Sequence, residues 1–326
     1  MKTSEIDVLF VGNAIMDVLS SCEESFLTDH GIEKGGMNLI DEERALYLYN
    51  NMPEKTEQSG GSAANSAYGF SSLGGKAGFS GQVATDAVGD SFISDLEGGG
   101  VCFAGKQAET GPATARSMIL ITPDTIRSMN TYLGTSLLLN ASHLPEQTKA
   151  KIIYLEGYLF DAPKGPSIFA RAAEIAAQSG AELALSLSDS WCVERHFEAL
   201  TEFVKNHVSI LFCNEDEIIS LGRTDVHGSV ALVSNWVDEL IVTRGAAGAY
   251  ILKKNEQVSV PAMPCGEVVD TTGAGDLFAS GYLFGRATGA SILKSAELAS
   301  LCAGEIICHF GARPLLNLKD FIGKVN

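Results

Sequence analysis

The sequence predicts an α/β architecture: a mostly parallel central sheet with helices on both faces, plus a small second β-sheet. Three observations carry this expectation. Short apolar runs alternate with helix-like segments, two stretches break that alternation, and a loop of small residues between two acids stands directly ahead of a helical pattern.

The first run, Val8-Leu9-Phe10-Val11, ends at Gly12 and reads as a buried strand. Similar runs rich in Ile, Leu and Val recur at 152–155, 183–187, 210–213 and 240–243, flanked by segments such as 166–178 with helical character. Such runs suit strands covered on both faces, joined by helical crossovers. Residues 15–21 and 34–40 instead read as extended, turn-bounded pieces, and 114–122 with 125–133 read as a hairpin around Pro123-Asp124. These four segments are expected to form a small sheet covering a site as a lid, or else edge strands of the main sheet. The expected division is a large α/β part over about 1–14, 42–112 and 138–326 and a discontinuous lid over about 15–41 and 113–137 of one 326-residue chain.

Composition narrows the function. Hydrophobic residues make up 45% and charged residues 19%, as in a globular protein. A net charge of −17, from 23 basic and 40 acidic side chains, argues against nucleic acid or an anionic membrane as partner. It leaves room for a phosphorylated ligand, because backbone N–H groups, a few arginines and Mg²⁺ can hold phosphates on an acidic protein. The seven cysteines form no Cys-x-x-Cys pair and mostly sit in apolar runs, which fits buried thiols in a reducing cytoplasm. Residues 1–7 carry three charges ahead of the first apolar run and show no secretory signal, and no apolar stretch reaches spanning length.

The loop is Asp270-Thr271-Thr272-Gly273-Ala274-Gly275-Asp276. Small residues admit a ligand close to the backbone, and unpaired N–H groups at a helix start attract anions. Asp276 then lies where a carboxylate takes a proton from a hydroxyl beside a phosphate. An ordinary strand-to-helix turn gives the same local pattern. Familiar alternatives are missing: Gly75-Lys76 lacks Walker A spacing, no Gly-x-Gly-x-x-Gly follows the first strand, and there is no Gly-x-Ser-x-Gly elbow.

The stretch DTTGAGDLFASGY at 270–282 resembles the C-terminal signature of the PfkB, or ribokinase-like, sugar and nucleoside kinases. SGGSAAN at 59–65 and GQVATDAVGD at 81–90 are similar to the N-terminal signature, and Asn214-Glu215-Asp216-Glu217 and Val242-Thr243-Arg244-Gly245 agree with intermediate landmarks. The resemblance covers essentially the whole chain. It implies a ribokinase-like fold with a β-sheet lid and an ATP- and Mg²⁺-dependent kinase.

By position, the resemblance makes Asp276 the catalytic base and gives Gly273, Ala274 and Gly275 the task of supplying N–H groups to the transferring phosphate. Asn13 and Asp17, just past the first strand, become ligands of the acceptor's hydroxyls, with Gly60, Gly61 and Asn65 as the second wall; the plainer reading of that block is a loop and helix start with Ser62 as its cap. Arg127 on the lid hairpin approaches the phosphate, with Arg116 as its rival; a solvated surface arginine is the plainer reading. Asn214, Thr243, Arg244, Gly245 and Thr272 would bind ATP. Asn214 and Glu217 would orient Mg²⁺ through water, and the same pair also reads as a helix capping box. Asp270 and Thr272 would offer oxygens to a monovalent cation such as K⁺, as in some family members.

The acceptor stays open between a nucleoside and a sugar. The Gly-Asn-x-x-x-Asp strand exit, Arg127 and Tyr154-Leu155-Glu156-Gly157-Tyr158 resemble the adenosine-kinase-like branch. Met16, Met37, Leu39, Tyr132 and Leu133 would cover a base, or simply pack the lid. Thr272, and Leu187-Ser188-Asp189-Ser190, depart from that branch, so ribose, fructose or a keto-deoxy sugar acid competes. A catalytically silent nucleotide binder and a nicotinamide oxidoreductase are the readings from other classes. A homodimer through the lid is a further possibility.

Overall fold

The computed structural model describes residues 6–254 and 256–325. The leading residues 1–5, part of the stretch read as carrying no secretory signal, lie outside them. The main sheet has nine strands in the order Glu256–Val260, Ala249–Lys253, Glu239–Thr243, Ile210–Asn214, Glu182–Ser186, Ile152–Glu156, Val8–Val11, Ala77–Ser80 and Cys102–Phe103. The seven from Glu239–Thr243 onward run parallel, and the two at the other edge form an antiparallel hairpin that the sequence reading did not anticipate.

Alternation along each strand explains why both faces are buried. Phe10, Phe79, Tyr154, Ala184, Phe212 and Ile241 point to one side, where helices Ser62–Ser72, Ala274–Ala287 and Ile292–Ile306 pack. Leu9, Val11, Ile153, Leu155, Leu185 and Leu211 point to the other, against helices Gly165–Ser179 and Phe197–His207. Each Leu or Phe fully buried in this way contributes about 1.5–3 kcal/mol. The strands present their carboxyl ends to one edge, where ligands of open parallel sheets bind. Asn13, Glu156, Asn214 and Thr243 all lie there.

The small sheet has five strands, in the order Met37–Leu39, Arg127–Tyr132, Ala115–Ile121, Ile15–Ser21 and Thr56–Gly60. Four match the expected segments. The fifth corrects the expected boundaries: Thr56–Gly60 pairs antiparallel with Ile15–Ser21, although 42–112 was assigned to the large part. Helix Glu42–Asn51, from the same stretch, also packs on this sheet. The strand escaped notice because Thr-Glu-Gln-Ser-Gly has no apolar alternation and is held by backbone pairing at the edge. Helix Glu24–Asp29 was likewise not foreseen.

Register fixes which side chains share a face. Asp17 lies beside Ser117, which lies beside Thr131 and then Leu39; Leu19 leads in the same way through Ile119 and Met129 to Met37. Arg127, two residues from Met129, is on that face too. Met16 and Val18 point the opposite way into the core, with Met118 and Leu120. Met16 therefore does not share the Asp17 face, contrary to its expected grouping with Met37 and Leu39.

Candidate active site

Asp276 is the meeting point. It stands in the first turn of helix Ala274–Ala287, whose N-cap Gly273 has φ +73°, a left-handed turn that brings the loop round onto the helix axis. Its Oδ1 accepts from Ser62 Oγ at 2.6 Å and its Oδ2 from Asn65 Nδ2 at 3.0 Å. Both donors come from helix Ser62–Ser72, more than 200 residues away in sequence. Burial pushes the Asp276 carboxyl above its ordinary range, although Ser62, Asn65 and Arg313 favour its ionised form. Ser62 is not the cap the sequence suggested. Gly61 holds the N-cap position, and Ser62 turns its hydroxyl to Asp276.

Beside it, Asp17 is pushed up to about 7, chiefly by burial; Asp276 adds to the rise, while Arg313 and Arg127 oppose it. The Gly60 backbone lies so close that a Cβ there would come 2.2 Å from Asp17 Oδ2, and one on Gly61 2.2 Å from the Asn13 carbonyl oxygen. Asn13 is held through its backbone N–H and Nδ2, both donating at 2.8 Å to Glu156 Oε1, while Glu156 Oε2 accepts from Ala63 N–H at 2.8 Å. Glu156 thus ties the exit of strand Val8–Val11 to the start of helix Ser62–Ser72, and burial lifts its own pKa to about 7. Asn13, Asp17, Gly60, Gly61, Asn65 and Asp276 are accordingly brought together.

A cleft of about 310 Å³ opens on the other side of Asp276, lined by Gly273, Ala274, Gly275, Asn214, Glu217 and Thr243, among others. The Ala274 N–H is already donated to the Thr271 carbonyl at 3.2 Å, so of the three expected donors this one is engaged within the loop. Asn214 and Glu217 form the capping box: Glu217 N–H donates to Asn214 Oδ1 at 2.9 Å, and Asn214 N–H and Nδ2 donate to the Glu217 carboxylate at 3.1 and 2.7 Å. Burial raises Glu217 to about 7. Its outer lone pairs still border the cleft, which fits a metal held through water better than one bound directly. Arg244 turns outward to Glu215, Nε to Oε1 at 3.2 Å, and neither it nor Gly245 lines this cleft.

The Asp270 carboxylate, expected to offer oxygens to a cation, is engaged by neighbouring groups. Its Oδ1 accepts from Thr272 N–H and Oγ1, each at 2.9 Å, its Oδ2 accepts from Gly311 N–H at 3.3 Å, and Arg127 Nε lies 3.1 Å from Oδ1. The carboxylate shapes the loop and receives the lid arginine. Thr272 accordingly turns inward to Asp270. Arg127 is mostly covered, with 19% of its side chain exposed, so the plain reading of a solvated surface arginine fails. Arg116 instead lies over the Tyr49 ring, 4.9 Å from its centroid.

Three contributors went unnoticed in the sequence. Ser62 was read only as a cap. Glu156 stood in plain view as a charge closing an apolar strand. Arg313, whose Nη1 donates to Asn65 Oδ1 at 2.7 Å, follows Gly311-Ala312 with no surrounding pattern to mark it.

A carboxylate held by two donors, a small-residue helix start and a cleft reaching the ends of neighbouring strands fit a phosphoryl-transfer enzyme on a ribokinase-like fold. Residues 39–318 match the model of the pfkB family carbohydrate kinases, and the chain belongs to that family. It superposes on a probable sugar kinase from Rhizobium etli CFN 42 with a TM-score of 0.90 at 42% identity, covering 98% of each chain. The adenosine kinase from Sinorhizobium meliloti gives 0.90 at 41% identity, covering 99% of this chain and 100% of that one. Probable fructokinase-5 of Arabidopsis thaliana is 28% identical over 274 residues, which is 79% of this chain and 84% of that protein.

The chain is thus a kinase that transfers a phosphoryl group to a hydroxyl of a nucleoside or a sugar, with ATP as the donor and Mg²⁺ as its usual companion. The silent binder and the nicotinamide enzyme find no support in these likenesses. No helix among the described residues is long and apolar enough to cross a membrane.

Proposed function

We propose that the acceptor is an adenosine-like nucleoside, phosphorylated on its primary hydroxyl. Asp17, Asn13 and Asn65 hold the acceptor's hydroxyls against the bare backbone of Gly60 and Gly61. Asp276 takes the hydroxyl proton as the new O–P bond forms, and the bond from the γ-phosphorus to its bridging oxygen breaks, leaving ADP. A base whose pKa lies above the usual carboxylate range is better matched to this task near neutral pH. Gly273 and Gly275 N–H groups, with Arg127, meet the charge on the transferring group. Thr243 flanks the nucleotide with Arg244 and Gly245 at the rim, and Thr272 acts through the loop. Mg²⁺ neutralises phosphate charge when bound, and Asn214 and Glu217 would hold its waters.

The observation that carries the choice of acceptor is the face of the small sheet bearing Asp17. Along it Leu39 and Met37 are 64% and 55% exposed, beside the partly covered Leu19 and Met129 and the buried Ile119. A purine gains from such a cover; a sugar, polar all round, does not. Support also comes from the likeness to the Sinorhizobium meliloti adenosine kinase, set against the equal likeness to a probable sugar kinase. ADP release with Mg-ATP and adenosine, other nucleosides, ribose, fructose or 2-keto-3-deoxygluconate tests this. Adenosine should give the highest kcat/KM, and a sugar exceeding it tenfold would make the chain a sugar kinase.

The exposed Met37 and Leu39 also favour a second reading, a homodimer through the small sheet, which sedimentation equilibrium distinguishes. Asp270 is occupied by four donor contacts, so K⁺ is given no place on it; equal turnover in K⁺ and in tetramethylammonium buffers is expected. Seven free cysteines, four of them buried, suit a reducing cytoplasm.

A further inference from the structure

The guanidinium of Arg313 lies between the two carboxylates that matter and a rigid anchor. Its Nη2 donates to the Ser59 carbonyl and to Ser59 Oγ at 2.6 Å. Ser59 in turn donates to Asp95 Oδ2 through Oγ at 2.5 Å and through its N–H at 2.8 Å. The Tyr68 ring lies under the group, 4.4 Å from Cζ to centroid. Held from that side, Nη1 donates to Asn65 Oδ1 at 2.7 Å, and Asn65 Nδ2 donates to Asp276 Oδ2 at 3.0 Å. Nε is buried without a partner among the described residues, so the placement sacrifices one donor to the contacts of the others.

An amide has an acceptor end and a donor end, and an ionised carboxylate can only accept. With Arg313 on the oxygen, the NH₂ of Asn65 must face Asp276. Released from Arg313, the amide is free to turn its oxygen toward Asp276, an arrangement that favours the protonated acid. We propose that Arg313 is a positioning residue for the base: by fixing the Asn65 amide it keeps Asp276 aimed at the acceptor hydroxyl in its proton-accepting form. This rests on Asp276 being the base. The charged and titratable groups facing Asp276 are Asp17 from the small sheet, Glu156 from strand Ile152–Glu156, the Tyr154 and Tyr158 hydroxyls, and Arg313. Arg313 is the cation of this group, and Arg127 faces Asp17.

A double-mutant cycle with pH profiles tests the proposal. Arg313→Met should lower kcat on the order of a hundredfold, as a misaimed catalytic group does. KM for ATP should stay within about twofold, since Arg313 does not line the nucleotide cleft. The acid limb of kcat should move to higher pH. Asn65→Ala should give a comparable loss, and the double variant should be no worse than the poorer single one. Multiplying losses, or a Met variant whose limb stays in place, would overturn the proposal. If Arg313→Met does not fold, Arg313→Lys serves. It keeps the charge but cannot hold Ser59 and Asn65 together, so kcat should fall and the acid limb should still move to higher pH; wild-type kcat or an unmoved limb would overturn the proposal. Asp276→Asn, measured alongside, separates the two ideas: if it stays active the base assignment fails, and if it is silent while the cycle is additive only the role of Arg313 fails.

Discussion

Replacing Gly60 with alanine probes the acceptor wall at its tightest point. An ideal Cβ there would lie 2.2 Å from Asp17 Oδ2 and 2.4 Å from its Cγ, whereas ordinary contact begins at 3.4 Å. The carboxylate must therefore yield by about 1.2 Å, the difference between those two distances. Gly60 is not among the residues with positive φ, so alanine fits its backbone, and the three atoms nearest the new Cβ all belong to Asp17. Gly61 is the poorer probe, because at φ +95° any side chain also strains the chain. A misplacement on the order of 1 Å costs on the order of a hundredfold in rate, equivalent to about 2.7 kcal/mol of transition-state stabilisation. Coupled ADP-release kinetics should show kcat/KM for the acceptor falling by that factor, while KM for ATP stays unchanged. Acceptor kcat/KM within twofold of wild type, in a folded variant, would refute the close packing of Gly60 on a substrate-holding Asp17.

Other outcomes follow from the same geometry. Asp17 is raised to about 7 and Asp276 is raised as well, and both must be ionised to work. Acceptor kcat/KM should therefore be full above neutrality and decline as pH falls through about 7, well above the ordinary carboxylate value of about 4; a flat profile to pH 5 would contradict this. Arg127→Met, which frees Asp270 from its lid partner, should reduce kcat more than KM for either substrate; an unchanged kcat would remove Arg127 from the site. Glu239, at the opposite end of its strand from Thr243, takes a hydrogen bond from Tyr282 at 2.8 Å and ion-pairs with Arg286 and Lys253 at 2.8 and 2.5 Å. Glu239→Ala should cost about 1–3 kcal/mol in urea unfolding with both KM values intact, because it leaves the buried Tyr282 hydroxyl without its acceptor and takes from the partly buried Arg286 its main partner; an unmoved midpoint would contradict the assigned network.

Five strands of the main sheet were legible because each is a short apolar run, and Val8–Val11, Ile152–Glu156 and Ile210–Asn214 fall where those runs lie, whereas the buried Ala77–Ser80, Ala-Gly-Phe-Ser, carries no such run. Thr56–Gly60 was illegible for the opposite reason, since backbone pairing rather than side-chain alternation makes it a strand. At the site, the Asp270–Asp276 loop announced itself by composition, and the Ser59–Asn65 block by its resemblance to a family signature. Their meeting at Asp276 is a tertiary fact that no spacing encodes. Arg313 shows the limit most clearly, because a lone arginine after Gly-Ala carries no pattern, and its role comes entirely from Ser59, Asn65 and Tyr68 arriving from another helix and strand. Glu156 was different: a carboxylate closing a buried strand is costly without partners, and that cost was a readable signal.

The assignment of Asp276 as the base is tested most directly by single-turnover phosphoryl transfer in Asp276→Asn with saturating Mg-ATP and acceptor. Asparagine keeps the side chain's size and can still accept from Ser62, so folding and ATP binding should persist. Turnover should fall by roughly a thousandfold, about 4 kcal/mol of transition-state stabilisation. Transfer at near the wild-type rate would contradict the assignment.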